Sequence, residues 1–377
     1  MLALEERGLR LSLANGDLAY FNYYWLRDNC TSAWDESTQE RIYDILEEPD
    51  DLKPKTAQID ASTLTIEWPD GHQSRYDLAW LARWHYPNGQ VCMGHGDLAQ
   101  RKRQPWYADH YSQIKRFSFP ELIEQPAQVA DWTEALLDEG IALLTEMPNS
   151  NEGLQQACEL IGVVRSSFSG YTFDVRTEAN PVNLAYTNKA LELHTDLPPE
   201  ELAPGIQFLH CRVNDAIGGE SLFVDACSVA QAFKAQYPDY FNLLTTLKVP
   251  FRYTTNFQDV RARQVIIELD PYNGEVSGIH FSQHLADVFD FPPEVMDAFY
   301  PAFRKFGQML QDPKYLMRFR LNAGECIVFD NHRVVHGRSA FVAGSGARHL
   351  RGCYVDRNEM RSTYRVLRAK YPKGEAE

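Results

Sequence analysis

Nowhere in the 377 residues is there an apolar run approaching the roughly 20 residues that a membrane-spanning helix needs. The first ten residues carry Glu5, Glu6 and Arg7 and have no apolar centre like that of a secretory signal, so a cytoplasmic protein with no membrane partner is expected. Cysteine is sparse and unpatterned. The seven thiols, Cys30, Cys92, Cys158, Cys211, Cys227, Cys326 and Cys353, form no CxxC pair, and several sit in apolar strand-like stretches. That distribution fits buried, reduced thiols rather than a disulfide framework. Positive charge is in deficit, with 37 Lys and Arg against 52 Asp and Glu and a formal charge of −15. An acidic surface repels phosphate backbones, so nucleic acid is not an expected partner. An anionic ligand would need a local cluster of arginines. Internal repeats, low-complexity segments, a GxGxxG fingerprint and a P-loop are all lacking, which removes the phosphate-cradling and dinucleotide folds.

What is present is ordinary globular composition, 44% hydrophobic and 24% charged, in a chain long enough for two domains, one of them large. The first hundred residues hold short strand-like pieces such as 63–68 (TLTIEW), followed by the turn Pro69-Asp70-Gly71. A polar stretch with the basic cluster Arg101-Lys102-Arg103 reads as a linker. The expected division is a small β-rich domain over 1–95, a linker over 96–115 and a main domain over 116–377. Within the main domain, helical patterns cover 129–137, closed by Gly140, then 151–161, and the amphipathic run 293–310. Strands are expected at 141–145, 205–213, 221–225, 265–269, 275–281, 316–321, 326–329 and 350–356. Tyr272-Asn273-Gly274 contains the strongest short hairpin signal. The pattern predicts a mainly β fold, a sandwich or jelly roll braced by helices.

Three residues carry metal chemistry. His194-Thr195-Asp196 places an imidazole and a carboxylate two residues apart, and in an extended segment such positions point to the same side. His336 lies far along the chain, in the run from Asp330-Asn331-His332-Arg333 through His336-Gly337-Arg338. Two imidazoles and one carboxylate form the facial set that suits non-haem iron(II). Three protein donors leave three octahedral positions, enough for a chelating keto acid and dioxygen. An HxD pair alone recurs by chance. His332 competes with His336 for the role and is read as a surface or helix-packing histidine. Arg348 follows His336 at the distance of a strand, a turn and the start of another strand. There it can face the metal and grip a far carboxylate in a bidentate pair.

Taken together these residues are familiar. The chain resembles the γ-butyrobetaine and trimethyllysine dioxygenases of the taurine-dioxygenase-like group, over nearly its whole length. The likeness rests on Trp25-Leu26-Arg27-Asp28-Asn29-Cys30, Trp68-Pro69-Asp70-Gly71-His72, Asn183-Leu184-Ala185-Tyr186-Thr187, His194-Thr195-Asp196, Gly218-Gly219-Glu220-Ser221, the run from Asp330 to Arg338, and Arg348-His349-Leu350. The resemblance implies a double-stranded β-helix enclosing iron(II) held by His194, Asp196 and His336. It implies 2-oxoglutarate bound by Arg348, with Ser221 and Leu209 nearby, and consumed with dioxygen as an unactivated carbon is hydroxylated. The family's substrates carry a trimethylammonium group, which ring faces suit through cation–π attraction. Tyr186 and Tyr354 match cage positions, Phe173 stands where the family often has Trp, and Tyr171 is close by. Asn183 matches a residue that contacts the anionic end of the substrate. Members are often homodimers, although no interface is legible in this sequence.

The sequence departs from the family in three places. A small-domain zinc site of three cysteines and a histidine retains Cys30 and His72, but Ser32 and Trp34-Asp35 replace the other thiols. No structural zinc is expected there, and packing around Trp25, Trp68 and Trp80 is expected to hold the small domain. Ser169 stands where a cage tyrosine is expected. Phe281-Ser282-Gln283 replaces an Asn at the anionic end, which makes Ser282 a binding candidate. The reshaped pocket fits either γ-butyrobetaine or a phosphonate analogue, 2-(trimethylamino)ethylphosphonate. For the latter, Arg165, Arg176 or Arg351 would supply further donors. Two other readings keep the same residues: a cupin-like metalloenzyme with no use for Arg348, and a non-catalytic barrel acting as a binding module.

Overall fold

The runs IALLT and CIVFD show almost no polar alternation because both faces of their sheet are covered. In a computed structural model of the chain, which describes residues 1–85, 101, 103–177, 186–271 and 273–373, these runs are adjacent antiparallel strands, Ile141–Thr145 and Cys326–Asp330. Successive side chains of a strand point to opposite faces. Ile141, Leu143, Ile327 and Phe329 therefore enter one core, while Ala142, Leu144, Cys326 and Val328 enter another.

These strands sit in the middle of a seven-stranded sheet. Its path runs Phe173–Arg176, Arg348–Val355, Ile206–Asn214, Cys326–Asp330, Ile141–Thr145, Arg116–Ser118, with Val164–Arg165 also pairing with Arg348–Val355. All pairings are antiparallel except the one joining Arg116–Ser118 to Ile141–Thr145. A four-stranded antiparallel sheet of Leu191–His194, Val334–Arg338, Ser221–Asp225 and Met317–Phe319 faces it. From Ile206 the chain passes from the larger sheet to the smaller at Ser221–Asp225, makes two separate hairpins and re-enters the smaller sheet at Met317–Phe319. It then alternates larger, smaller, larger to Val355, which is the winding of a double-stranded β-helix with an insertion. Leu209, Cys211, Phe223, Phe319, Phe329 and Leu350 fill the space between them.

Helices cover both outer faces. Pro126–Asp138, Asn151–Glu159 and Arg357–Lys370 pack on the larger sheet through Trp132, Leu136, Leu154 and Met360. Ala226–Gln236, Pro238–Thr246 and Pro293–Leu310 pack on the smaller one through Phe233, Leu244, Phe299 and Phe306. The expected helices at 129–137, 151–161 and 293–310 are present. Those at Ala226–Gln236, Pro238–Thr246 and Arg357–Lys370 were not expected, although their start signals are orthodox. The Asp225 side chain accepts from the Ser228 N–H, and Pro238 occupies the first turn. Gly140, at φ +73°, turns the chain from helix to strand, and a Cβ there would lie 2.6 Å from Arg333 Cδ. The hairpin of Ile267–Leu269 and Val276–Ile279 forms as expected, with Tyr272 outside the described residues.

By contact, the chain divides into the units Met1–Ala99 and Gln100–Glu377. The first holds two three-stranded antiparallel sheets, Leu2–Leu4/Gly8–Ser12/Leu18–Asn22 and Thr56–Asp60/Thr63–Glu67/Gln73–Asp77. Their core includes fully buried Leu9, Leu64, Ile66 and Trp68, with Trp25 and Trp80 packed against it, ring centroids 5.6 Å apart. Cys30 Sγ lies 3.4 Å from His72 Nε2, and Ser32 Oγ is 3.2 Å from each. The linker expected over 96–115 needs correction from Gln100 onward, because that stretch belongs to the second unit. Arg101 pairs with Glu134 and Asp138, Arg103 donates to the carbonyls of Val276 and Ser277, and Trp106 is buried. These arginines satisfy buried acceptors and carbonyls, so they are packing residues; Lys102 lies outside the described residues.

One buried ion pair ties the two layers together. Arg333 Nε and Nη2 donate to Asp225 Oδ1 and Oδ2 at 3.1 and 2.8 Å, and Nη1 donates to the Asp138 carbonyl at 2.7 Å. The two side chains are 2% and 1% exposed. Removing one partner leaves an uncompensated buried charge and also strips the helix cap. Asp225→Ala is expected to lower unfolding free energy by about 3–5 kcal/mol. An unshifted urea midpoint for the second unit would contradict this.

Candidate active site

The register of the smaller sheet brings the metal-ligating types together. His194 ends its strand directly across from His336, which on its other side faces Phe223. Asp196 follows on a segment clasped from two sides. Its N–H donates to Asn331 Oδ1 at 2.7 Å, and Asn331 Nδ2 returns a bond to the Asp196 carbonyl at 3.0 Å. Between the two ligands, Thr195 N–H donates to the Phe281 carbonyl at 2.6 Å and Phe281 N–H donates to Thr195 Oγ1 at 3.0 Å. His194 Nε2 and His336 Nε2 lie 3.2 and 3.7 Å from Asp196 Oδ1. An ion with donors at about 2.0–2.2 Å would hold ligand atoms about 3 Å apart, so this spacing fits one.

Hydrogen bonding and burial set each donor in its ligating form. His194 Nδ1 sits 2.7 Å from the Glu192 carbonyl, so that nitrogen carries the proton and Nε2 is left as a lone-pair donor. Burial, helped by His194, pushes His336 down to about 3 and keeps it neutral. Burial alone would raise the Asp196 carboxyl, but His336, His194 and the Tyr354 hydroxyl outweigh it and hold it well below the usual carboxylate range. Asp196 Oδ2 accepts from Gln207 Nε2 at 2.6 Å and from the Tyr354 hydroxyl at 2.7 Å, which leaves Oδ1 turned to the imidazoles. Tyr354 is pushed well above its ordinary value, by burial first and then by Asp196.

These three residues line a pocket between the sheets whose wall also includes Leu209, Ser221, Arg338 and Arg348. Arg348 is 7% exposed. Its Nε donates to the Gly219 carbonyl at 3.2 Å, while its Nη1 is buried without a hydrogen-bond partner. Gly219, at φ +70°, leaves room for it, since a Cβ there would lie 2.9 Å from Arg348 Nε. Burial, with Arg338 nearby, lowers Arg348 to about 10, still charged at neutral pH. Arg338 is likewise lowered to about 10 by burial, and its Nη2 donates to the carbonyls of Thr187 and Lys189.

The pocket's other wall is aromatic. Phe173 stacks on Tyr354 with centroids 5.1 Å apart, lying across Gly352, where a Cβ would meet its ring at 2.3 Å. Phe168 and Tyr253 stack at 4.0 Å and 13°, and Tyr186 completes the lining. Of the expected substrate contacts, Tyr186, Tyr354 and Phe173 are here and Asn183 lies outside the described residues. Two need correction. Tyr171 is 67% exposed and does not line the pocket. Ser282 is buried behind it, with its Oγ 3.4 Å from His284 Nδ1, and it is His284 that reaches the pocket. The arginines offered as phosphonate donors are elsewhere too. Arg165 pairs with Glu200 and Asp356, Arg351 with Asp174, and Arg176 is exposed. His284, Gln207, Phe168 and Tyr253 had no sequence signal beyond residue type. The His284 ring stands 4.7 Å from that of His194, and burial, then His194, lowers it to about 4.

Comparison with known proteins agrees with this geometry. Residues 100–354 match the model of the taurine catabolism dioxygenase TauD, TfdA family, and residues 2–82 match a γ-butyrobetaine hydroxylase-like N-terminal model. The chain is 36% identical to a γ-butyrobetaine dioxygenase of Pseudomonas sp. (strain AK-1), across 96% of this chain and 94% of that one. It is 30% identical to the mitochondrial trimethyllysine dioxygenase of Gallus gallus, across 97% and 88%. Among solved structures, AAD-2 in complex with Mn(II) and N-oxalylglycine superposes with a TM-score of 0.51 at 12% identity, covering 61% of this chain and 89% of that one, which bears on the fold alone.

Proposed function

The chain belongs to the taurine catabolism dioxygenase (TauD, TfdA) family, and from that premise we propose that it is an iron(II)- and 2-oxoglutarate-dependent hydroxylase of a small trimethylammonium zwitterion. The observation that carries the reading is the meeting of His194 Nε2, Asp196 Oδ1 and His336 Nε2 in a pocket that also holds the unpartnered Nη1 of Arg348. Iron(II) with bound 2-oxoglutarate supplies the oxidising power: dioxygen and the keto acid become succinate, carbon dioxide and one hydroxyl oxygen on the substrate.

The residues do the rest. His194, Asp196 and His336 hold the ion, and Gln207 and Tyr354 fix the Asp196 carboxylate so that one oxygen serves it. Arg348 grips the far carboxylate of the keto acid, beside Ser221 and Leu209. Phe173, Tyr186 and Tyr354, with Phe168 and Tyr253, offer ring faces to a permanent cation that can accept no hydrogen bond. Buried Leu209, Phe223 and Leu350 present apolar surface beside the metal ligands, which favours an apolar reacting carbon there. A cytoplasmic location is part of the proposal. It is supported by six described cysteines that are all buried free thiols, and among the described residues no helix is long and apolar enough to cross a membrane.

The substrate is tested with a panel of γ-butyrobetaine, trimethyllysine, choline-type compounds and 2-(trimethylamino)ethylphosphonate, scored by succinate formed per hydroxylated product. One-to-one coupling is expected for a trimethylammonium member. Uncoupled succinate with every member would sink the substrate class. Tyr186→Ala is expected to raise the substrate KM by about 10-fold or more, the scale of a desolvated cation–π contact, with the 2-oxoglutarate KM nearly unchanged. Equal loss of both would reject the cage role.

A further inference from the structure

Away from the pocket, a second group of metal-ligating types converges. We propose that Glu268, His280 and His332 form a metal site for a divalent first-row ion of the zinc class, and that it braces the segment carrying His194 and Asp196. Their donor atoms all lie within 4.8 Å of one another, with His280 Nε2 and Glu268 Oε2 at 3.7 Å. Two imidazoles and a carboxylate suit such an ion, with water at the fourth tetrahedral position.

The local fold builds this group. Glu268 pairs across the hairpin with Gly278, and His280 lies two residues further on, close to the face on which Glu268 stands. Gly278 leaves the space open: a Cβ there would lie 2.6 Å from Glu268 Oε2 and 3.5 Å from His332 Nδ1. His332 is 7% exposed, and its Nε2 is 3.0 Å from the Ala203 carbonyl. A carbonyl only accepts, so Nε2 carries the proton and Nδ1 holds the lone pair. That Nδ1 is buried without a hydrogen-bond partner. A ring nitrogen donating to a backbone carbonyl while the other faces its neighbours is how a metal-bound histidine is held. His280 is 5% exposed, with its backbone N–H on the Ile266 carbonyl.

The charges around the group permit a cation. Arg357 faces His332, but its Nη2 is 3.3 Å from Asp330 Oδ2 and its Nη1 donates to the Ser277 carbonyl. The other arginines facing Asp330, Arg103 and Arg361, act on that carboxylate. Glu268 is lowered, first by His280, whose Nε2 stands 3.7 Å from its carboxylate.

The site's position gives it a role. Ile279 N–H donates to the His332 carbonyl at 2.8 Å, so its ligands sit on two segments already joined. One of these continues into Phe281, which bonds Thr195, and the other contains Asn331, which bonds Asp196. An ion shared by Glu268, His280 and His332 would lock both clasps around the active-site segment.

The test is titration of the chelator-stripped full chain with Co2+, read by visible absorption and by metal content. The wild type is expected to bind one more equivalent than Glu268→Gln or His332→Gln. Glu268 is exposed, so its variant keeps the test open if His332→Gln fails to fold. Affinity at this site should fall by more than the ~10–100-fold that loss of an outer-shell partner costs. Zn2+ should raise the Tm of the wild type beyond that of Glu268→Gln. Equal stoichiometry and affinity in wild type and variants would overturn the proposal. So would an extra equivalent that shows thiolate-to-cobalt charge transfer and disappears in Cys30→Ser. A separate equivalent lost in His336→Gln reports on the active site alone.

Discussion

His336→Gln is expected to abolish both iron uptake at the active site and succinate formation, with a loss of iron affinity well beyond ~100-fold. The bound comes from metal sites in which disturbing only an outer-shell partner costs about 10–100-fold. Here one of three donors is removed, and His336 is a neutral imidazole whose neighbours were arranged around it. Phe223 and Phe329 pack on its ring at 6.5 and 4.9 Å between centroids. Glutamine keeps much of the volume, so a well-folded variant separates coordination from packing. Circular dichroism and the urea midpoint give the control. An iron affinity within a few-fold of wild type would remove His336 from the coordination sphere.

Arg348→Met is expected to raise the 2-oxoglutarate requirement by about 30- to 5000-fold, corresponding to about 2–5 kcal/mol for truncating one side of a buried charge pair. The burial is severe and one end of the guanidinium has no protein partner, so in the absence of ligand the charge is poorly compensated. A carboxylate arriving there would satisfy it. Lysine would restore charge but not the planar fork, so Arg348→Lys should recover only part of the loss. Iron affinity should change little, because Arg348 is not among the three converging donors. If Arg338→Met moved the keto-acid requirement and Arg348→Met did not, the keto acid would have to lie the other way round in the pocket.

The triad was legible because its signal is local. His194 and Asp196 sit at strand spacing, and the run ending at Arg338 and the strand beginning at Arg348 each carry their residue within a recognisable motif. The alternation between cores was less so. In Ile141–Thr145 and Cys326–Asp330 both faces are apolar, so period-two patterning vanishes while the strands remain. The aromatic wall of the pocket was hardest to read. Phe168, Tyr253 and His284 come from three separate segments, and nothing in their sequence neighbourhoods marks a shared destination. Ser282 looked right by position. The bonds between Thr195 and Phe281 fix the chain so that Ser282 turns inward and His284 takes the pocket. Tyr171 looked right by type, but the turn at Gly170 leaves it in solvent. His332 reads from sequence as a surface or helix-packing histidine, since its metal-ligating neighbours lie more than fifty residues upstream. Glu268 and His280 arrive only when the Ile267–Leu269 hairpin folds against the Asn331 turn.

The most direct measurement is anaerobic: iron(II) is added to the full chain, then 2-oxoglutarate, and the visible spectrum is followed. A metal-to-ligand charge-transfer band should grow with saturating keto acid in the wild type, shift to much higher 2-oxoglutarate in Arg348→Met, and be absent in His336→Gln. If the loaded wild-type protein gives no such band, or the band persists unchanged without His336, the iron and its keto acid do not share the site described.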